Sequence, residues 1–210
     1  QYAIPVHFEA EDGSWRQYDN RMQETADILD TEARDEEAQL CAENAVPNTE
    51  YKVIQSDKDI RLAKKAGNKK LITIEKDGNL ISWGFSGVSK VPVEFTEPEP
   101  AGSGNDAFLN LTGVVQEAWY RDAFPDVDLQ YLILPTGVKE NIILKSADAQ
   151  TDFVMEYKFH KLTAVQLNGK TVELRDNAGE TVYTVTAPMM QDADGEWSDA
   201  LTLSIEESKN

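Results

Sequence analysis

The stretch from Trp119 to Lys145 constrains the fold most, because it contains two strand-like runs separated by turn-forming residues. The first run is Leu129–Leu134, the second is Asn141–Lys145, and Pro135-Thr-Gly137 lies between them. Proline and glycine suit a tight reversal of the chain, and short apolar runs on either side of a turn are typical of strands. The stretch therefore predicts an antiparallel β-hairpin.

Alternation with the period of a strand is clearest between residues 153 and 160. Apolar and aromatic side chains share one face, and polar ones share the other, as expected of a half-buried strand. The final residues alternate in the same way and predict a last strand. The first face comprises Phe153, Met155, Tyr157 and Phe159, the second comprises Glu156, Lys158 and His160, and the last strand presents Leu201, Leu203 and Ile205.

Turn residues separate the other strand-like segments. Asp12-Gly13 and Asp77-Gly78 each lie between two such segments and predict hairpins in the first half of the chain. Asn168-Gly169 predicts a two-residue type I′ hairpin, because both residue types tolerate positive φ angles. Asn177-Ala-Gly179 predicts a further reversal. The sequence therefore predicts an all-β fold, antiparallel and sandwich-like.

Proline, glycine and acidic residues replace the apolar pattern at 97–106, which predicts a linker or exposed loop. The predicted organisation is a β-rich segment at 1–96, the linker, and a second β-rich segment at 107–210. The two segments either form separate cores or pack as one extended double-sheet unit. Residues 21–48 are rich in alanine, glutamate and leucine, and predict short helices or a mobile acidic insertion.

Charge and cysteine content exclude several classes of function. The 210 residues include 38 acidic and 20 basic ones, and the resulting charge of −18 opposes binding to nucleic acid or to anionic lipid. A lone cysteine, Cys41, excludes an intramolecular disulfide and a multi-cysteine metal site. The sequence contains no transmembrane run, so no direct membrane insertion is predicted. Gln1 in place of methionine is typical of a trimmed or mature chain, which is compatible with secretion.

Few residues could catalyse a reaction. The two histidines, His7 and His160, lie in strand-like runs, and no serine has the glycine pattern of a nucleophile elbow. Asp122, Asp126 and Asp128 lie close together, and two acids suffice for glycoside hydrolysis. Close acid pairs are also expected by chance in so acidic a chain. The alternative interpretation is a turn in which aspartates accept hydrogen bonds from backbone amides, with Tyr120, Phe124 and Tyr131 packed beneath.

An acidic turn near the C-terminus is the one candidate metal site. Its carboxylates alternate on a flexible turn, as a hard cation such as calcium requires. The pattern departs from an EF-hand loop, and a plain acidic hairpin explains it as well. No other cofactor is predicted. The candidate calcium ligands are Asp192, Asp194, Glu196 and Asp199.

Tryptophans suggest a second kind of binding site. Trp15 and Trp197 each follow an aspartate-glycine turn, and we expect them to be partly exposed, where an aromatic ring could stack on a sugar. The two similar turns indicate similar hairpin tips rather than a duplication. Trp83 and Trp119 are predicted to lie in the core.

Seven short motifs follow one another along most of the chain. They are Tyr2-Ala-Ile-Pro-Val-His-Phe, Asp12-Gly-Ser-Trp-Arg-Gln-Tyr-Asp-Asn20, Arg61-Leu-Ala-Lys-Lys, Ile81-Ser-Trp-Gly-Phe, Tyr120-Arg-Asp-Ala-Phe-Pro-Asp-Val-Asp-Leu-Gln-Tyr131, Val138-Lys-Glu-Asn-Ile-Ile and Ala187-Pro-Met-Met-Gln-Asp-Ala-Asp-Gly195. In this order they resemble the N-terminal region of bacterial RHS/YD-repeat, cell wall-associated proteins. The resemblance implies a β-rich region of a large, secreted or surface-attached protein, preceding other modules and repeats, and it supplies no catalytic residues to carry over. YD repeats themselves are absent, and residues 21–48 depart from the pattern.

We therefore expect a non-catalytic structural and interaction module at the bacterial cell surface. Its expected partners are downstream modules of the same polypeptide, together with a cell-wall or host glycan or a protein. The first alternative is a carbohydrate-binding or adhesion module that uses Trp15 and Trp197. The second is a glycan-active enzyme that uses an acid pair such as Asp122 with Asp128.

Overall fold

The computed structural model describes residues 5–25, 50–67, 70–96, 113–201, 203, 205 and 206. These residues form strands and turns without a helix, which confirms the all-β prediction. They therefore contain no helix long and apolar enough to cross a membrane. The strands are β1 (His7–Glu9), β2 (Trp15–Gln17), β3 (Asp19–Glu24), β4 (Glu50–Gln55), β5 (Asp59–Ala63), β6 (Ile72–Lys76), β7 (Asn79–Phe85), β8 (Val93–Thr96), β9 (Gln116–Phe124), β10 (Val127–Leu134), β11 (Gly137–Leu144), β12 (Met155–His160), β13 (Thr163–Asn168), β14 (Thr171–Arg175), β15 (Thr181–Val185), β16 (Met190–Gln191) and β17 (Trp197–Ser198).

The strands assemble into several sheets, and their described pairings are antiparallel. A six-stranded sheet has the order β12-β7-β6-β5-β4-β3, and a four-stranded sheet has the order β11-β10-β9-β8. A three-stranded sheet, β13-β14-β15, and the pairs β1-β2 and β16-β17 complete the described architecture.

The chain divides into two compact units. The larger unit comprises Gln1–Lys76 and Ser82–Tyr157, and the smaller unit comprises Asp77–Ile81 and Lys158–Asn210. This division differs from the predicted one, because β8 pairs with β9 across residues 97–112. The predicted linker at 97–106 lies outside the described residues.

The core of the larger unit lies between the inner faces of two sheets. The hydroxyl of Tyr120 in β9 donates to the carbonyl of Ala63 in β5 at 2.6 Å. The rings of Phe85 in β7 and Phe124 meet edge to face, with centroids 6.0 Å apart. Alternating side chains on strands of both sheets thus meet in one apolar layer, which is the arrangement of a β-sandwich.

Most of the predicted hairpins are present. Pro135 and Thr136 form the two-residue connection between β10 and β11, whose pairing ends at Leu134 and Gly137. Asp77 and Gly78 connect β6 to β7 with φ angles of 53° and 75°. Positive φ at both positions matches the right-handed twist of the flanking strands, and explains why an Asp-Gly pair occurs there.

The Asn168-Gly169 turn joins β13 to β14 as predicted, but its predicted type I′ geometry is wrong. Neither residue has the positive φ angles that this turn requires. The register instead shifts between Gln166 and Asn168, and the Asn168 side chain accepts a hydrogen bond from the Lys170 amide at 2.8 Å. The chain therefore reverses through a shifted register, and the Asn168 side chain satisfies the Lys170 amide. Neither requires the positive φ angles of a type I′ turn.

Two predicted boundaries also differ from the structure. Residues Arg21–Glu24, assigned to the acidic insertion, belong to β3, and residues 26–49 lie outside the described part of the chain. The described residues of the predicted last strand, Leu201, Leu203 and Ile205, are not in a strand. The Leu203 amide donates to the Gly169 carbonyl at 2.7 Å, so alternation here reflects contact with a turn and not sheet pairing.

Candidate functional site

The first candidate tryptophan lies at the tip of the β1–β2 hairpin. The Ala10 amide donates to the Ser14 carbonyl at 2.9 Å, and the Gly13 amide donates to the Ala10 carbonyl at 2.8 Å. Gly13 has a φ angle of 76°, which is the left-handed residue of a three-residue hairpin loop with a bulge. Trp15 begins the returning strand and is 71% exposed, as predicted.

The second candidate tryptophan lies in the same position of the β16–β17 hairpin. The Asp192 amide donates to the Glu196 carbonyl at 2.9 Å, and the Gly195 amide donates to the Asp192 carbonyl at 3.2 Å. Trp197 follows directly and is 66% exposed, as predicted. The two tips therefore present an indole to solvent through one shared turn geometry.

A third turn shows that this geometry does not require a tryptophan. The Asp176 amide donates to the Glu180 carbonyl, and the Gly179 amide donates to the Asp176 carbonyl, both at 3.0 Å. Thr181 stands where the other two hairpins have tryptophan. The turn is thus a recurrent loop type, which agrees with the interpretation of similar hairpin tips. The turn geometry itself does not explain the exposed indoles, which occur in two of the three hairpins.

Two of the four candidate calcium ligands, Asp192 and Asp199, are engaged in contacts within the protein. Asp192 accepts the amides of Asp194 and Glu196 at 3.0 Å and 2.9 Å, which closes the turn. Asp199 pairs with Lys170 at 2.7 Å, and this ammonium lowers the pKa of the Asp199 carboxyl. No group of three or more potential metal ligands gathers within the described residues. Calcium binding therefore remains a prediction from sequence.

The acid cluster at the β9–β10 hairpin surrounds one buried carboxylate. Asp128 is 4% exposed and accepts the Asp122 amide at 2.7 Å. It also pairs with Arg121 at 3.1 Å and with Lys145 at 2.9 Å, and Lys145 contacts the Asp122 carboxylate as well. Asp126 occupies the turn itself with a φ angle of 57°. The predicted turn with aspartate–amide hydrogen bonds is confirmed, and the cluster is an ion-pair network around Asp128.

The electrostatics of this network differ from those of a general acid. Burial by itself raises the pKa of Asp128, but the Asp122 amide and the cations of Lys145 and Arg121 outweigh it and lower the pKa. A glycosidase acid needs a raised pKa so that it holds a proton at neutral pH. Beneath the turn, the predicted aromatic layer is present, because Tyr120, Phe124 and Tyr131 are buried.

The remaining catalytic candidates lie apart in the sequence and in different elements. His7 is exposed in β1, and His160 is partly exposed at the end of β12. Both are therefore strand residues, as predicted. Cys41 lies outside the described residues.

The core prediction for the other two tryptophans is half correct. Trp83 is buried, at 8% exposure, as predicted. The prediction for Trp119 is wrong, because Trp119 is partly exposed and its ring lies 3.5 Å from the Arg121 guanidinium. Its neighbours Ala118 and Tyr120 are fully buried, and successive side chains of a strand point to opposite faces. That alternation was the signal in the sequence that places Trp119 on the outer face.

Sequence reasoning also missed a carboxylate on the inner side of β11. Glu140 accepts a hydrogen bond from Trp83 Nε1 at 2.9 Å. Burial raises the pKa of Glu140, and this effect exceeds the opposite one of Trp83 and Tyr131, which lower the pKa. The Tyr131 hydroxyl is buried and interacts electrostatically with Glu140 but has no hydrogen bond of ordinary geometry. Val138, Glu140 and Ile142 are each two residues apart, so their side chains share one face of β11. Two apolar residues on that face were the signal in the sequence that Glu140 points inward.

Three curated proteins are similar to this chain. It is 23% identical over 193 residues to the tRNA(Glu)-specific nuclease WapA of Bacillus subtilis subsp. natto, and 22% identical over 193 residues to the tRNA nuclease WapA of Bacillus subtilis strain 168. Each match covers 91% of this chain and 7% of the relative. The tRNA3(Ser)-specific nuclease WapA of Bacillus spizizenii is 30% identical over 77 residues, covering 37% of this chain and 3% of that protein.

WapA is a cell wall-associated protein of the RHS/YD-repeat type, so the resemblance read from the sequence is confirmed as a distant similarity. It extends over most of this chain and a small, non-toxin part of WapA. The chain spans 7% of the length of the first two relatives, and the nuclease activity in their names is that of the whole proteins. No protein-family model matches the chain, and no solved structure does.

Proposed function

We propose that this chain is a non-catalytic structural and interaction module of a bacterial cell-surface protein. The observation that carries the proposal is the similarity to a small part of WapA over 91% of the chain. The module would act outside the cell, and its first partners would be other modules of the same polypeptide. A sandwich core with many buried aromatic side chains suits a role as a rigid support.

The acid cluster supports the non-catalytic part of the proposal. Asp128 is the buried member, and its partners Arg121 and Lys145 favour its ionised form. A carboxylate held between two cations is a poor proton donor at neutral pH, because giving it a proton breaks both ion pairs. The cluster is better suited to fixing the β9–β10 hairpin than to cleaving a glycosidic bond.

Cell fractionation tests the location and the partners together. An antibody raised against this chain should detect a protein much larger than 23.5 kDa in the wall fraction, and protease added to intact cells should remove it. A cytosolic enzyme serves as the control that must resist the protease. Detection only in the cytosol, or only as a product of the size of this chain, would contradict the proposal.

A hydrolysis assay tests the non-catalytic part separately. Purified chain incubated with isolated bacterial cell walls should release no reducing sugar above a boiled control. Release that is lost in both Asp122→Asn and Asp128→Asn variants would instead establish a glycan-active enzyme.

Glycan binding by the hairpin tips is the second candidate function, favoured by the exposure of Trp15 and Trp197. An indole that leaves 66% or more of its surface in water is available to stack on a sugar ring. On a glycan array, Trp15→Ala and Trp197→Ala should each weaken any binding of the wild type. Leu167→Ala is the matched control, because Leu167 is an exposed apolar residue outside the two tips. Unchanged binding in both tryptophan variants would reject this candidate.

A further inference from the structure

The outer face of the four-stranded sheet β8–β11 carries a tryptophan and a set of hydrogen-bonded polar side chains. Packing of the core does not require them, because the core contacts the inner face. The inner face is apolar, and Ala118, Tyr120 and Leu129 on it are fully buried. The pairing of β9 with β10 places Trp119 opposite Gln130, and the pairing of β10 with β11 places Gln130 opposite Asn141. These residues alternate with the buried ones, so they lie together on the outer face.

A continuous row of side-chain hydrogen bonds crosses this face, with one residue from each strand. Asn141 Nδ2 donates to Gln130 Oε1 at 2.7 Å, and Gln130 Nε2 donates to Glu117 Oε1. Thr96 Oγ1 donates to Glu117 Oε2 at 2.8 Å from the other edge. We call these four residues the polar row. At the usual spacing between strands it is about 14 Å long.

An aromatic platform flanks the polar row. Trp119 pairs across the strands with Gln130 on one side and with Glu94 on the other. The Arg121 guanidinium lies over the Trp119 ring, 3.5 Å from its centroid, and has a second partner in Asp128 at 3.1 Å. The guanidinium can therefore leave the indole while it keeps an ion pair.

The charge of the face selects among possible ligands. Acidic and basic side chains are equal in number along this face: Glu94, Glu117 and Asp128 stand against Arg121, Lys139 and Lys145, the last of which pairs with Asp128. This surface is thus close to neutral, in a chain whose total charge is −18. A polyanion would meet the acidic remainder of the chain, and a polycation would find no excess of acid here. An uncharged ligand suits the face best.

We propose that this face binds an uncharged polysaccharide, with Trp119 stacking on a sugar ring and the polar row exchanging hydrogen bonds with hydroxyl groups. An amide both donates and accepts, as a hydroxyl needs from its partner, so Gln130 and Asn141 can exchange hydrogen bonds of the polar row for bonds to the sugar. The sugar ring replaces Arg121 over the indole, and the guanidinium remains with Asp128. The proposal rests on a different surface from Trp15 and Trp197, and it stands whether or not the parent protein is at the cell surface.

Affinity electrophoresis in native gels tests the proposal directly. A chain of charge −18 migrates strongly, whereas uncharged polymers stay in the gel, so binding appears as retardation. The probes are hydroxyethylcellulose, glucomannan, laminarin, galactan and soluble starch. At least one should retard the wild type, and Trp119→Ala and Asn141→Ala should each weaken that binding by about tenfold or more. Ile54→Ala, an exposed apolar change on the other sheet, should leave it unchanged.

Three results would overturn the proposal. They are the absence of retardation by all five probes, retardation that survives both Trp119→Ala and Asn141→Ala, and retardation that only Trp15→Ala or Trp197→Ala removes. The last result would move the site to the hairpin tips. If thermal unfolding shows that Trp119→Ala does not fold, the Asn141→Ala result decides alone, because Asn141 lies on the edge strand β11 and is partly exposed.

Discussion

The larger and the smaller unit are built from similar hairpins but bury very different amounts of side chain. Among the described residues, all but three of the 24 buried apolar residues belong to the larger unit. The exceptions are Ile81, Val172 and Leu174. In contrast, six of the ten exposed large apolar residues belong to the smaller unit, including Met189 and Trp197.

This difference teaches that a hairpin pattern specifies strands without specifying a core. In the larger unit, two sheets contribute inner faces, so residues such as Leu129 and Ile72 are surrounded on both sides. In the smaller unit, the described sheet β13-β14-β15 buries two apolar side chains of its central strand. A sheet needs a second layer to bury its apolar face, and free energy from burial should therefore concentrate in the larger unit.

Truncating one leucine in each unit gives the largest expected effects. Leu129→Ala should lower the free energy of unfolding by about 4 kcal/mol, and Leu174→Ala by about 2–3 kcal/mol, since a deep core relaxes less around the cavity. Both leucines are fully buried, so they form a matched pair. Urea unfolding followed by circular dichroism would measure each loss.

Hydrogen exchange would show whether each loss stays in its own unit. Leu174→Ala should raise exchange in β13, β14 and β15, and should leave β9 and β10 protected. Equal losses for the two leucines, with one cooperative transition and uniform exchange, would mean that the contrast between the units has no energetic basis.

Removing the buried carboxylate of the larger unit should have the next largest effect. Asp128→Ala removes the acceptor of the Asp122 amide and one partner each of Arg121 and Lys145. We expect a loss of about 2–3 kcal/mol in chemical denaturation, because the variant removes a hydrogen bond to a carboxylate together with two ion pairs. Asp128→Asn is the control. It keeps an oxygen for the amide, so it should lose less than Asp128→Ala, and an equal loss would assign the effect to charge alone.

The sequence predicted the fold best where alternation and turn residues acted together. The Pro135 turn between β10 and β11, and the exposed positions of Trp15 and Trp197, follow from local patterns. These features depend on residues close in sequence, whose backbone preferences decide the outcome. The last predicted strand failed because Leu203 bonds to the Gly169 carbonyl, and no local pattern encodes that distant contact.

The candidate sites were less predictable than the fold. The prediction that Trp119 lies in the core rests on its residue type. Its neighbour Tyr120 points into the core, and adjacent residues of a strand point to opposite faces, so Trp119 lies on the outer face. The polar row was missed for a different reason. It joins Thr96, Glu117, Gln130 and Asn141 from four strands, and only the register of those strands brings the four side chains together. Register between strands is a tertiary property that turn chemistry fixes only in part.

Removing the turn carboxylate of the smaller unit should cost less than removing Asp128. Asp192→Ala deletes the acceptor of the Asp194 and Glu196 amides, but the turn is exposed and water can replace the lost partner. We expect a loss of about 1 kcal/mol, with faster hydrogen exchange confined to β16 and β17. A loss as large as that of Asp128→Ala would contradict the view that an exposed turn carboxylate contributes less to stability than a buried one.

A calcium titration of the wild type tests metal binding by this turn. Because Asp192 holds two amides and Asp199 is paired with Lys170, we expect millimolar calcium to leave the melting temperature of the wild type unchanged. A rise in melting temperature that Asp199→Asn reduces would instead establish a calcium site. It would show that a bound metal contributes stability to a unit that buries few apolar side chains.

The smallest expected effect concerns Glu140, which places an ionisable group on the inner side of the larger unit. Burial raises its pKa in the folded protein, so folding favours its protonated form. The sign follows from linkage. The stability that Glu140 contributes is fully present below its unfolded pKa, and it is lost as pH rises through its higher folded pKa. As the pH rises above the unfolded pKa, the ionisation of Glu140 therefore opposes the folding of the unit that otherwise buries apolar groups.

Glu140→Gln should raise the melting temperature at neutral pH and change it little in mild acid. Glutamine keeps an acceptor for Trp83 Nε1, so the variant removes the charge while the hydrogen bond can remain. The effect should stay small, because Glu140 lies on the edge strand β11 and its side chain keeps some contact with solvent.

Glu75→Gln is the control, since Glu75 lies in β6 and its side chain is 38% exposed. Melting curves from mild acid to neutral pH would decide. A variant that is less stable than the wild type at neutral pH would show that ionised Glu140 supports the core, and that the larger unit is held together by a buried charge as well as by apolar burial.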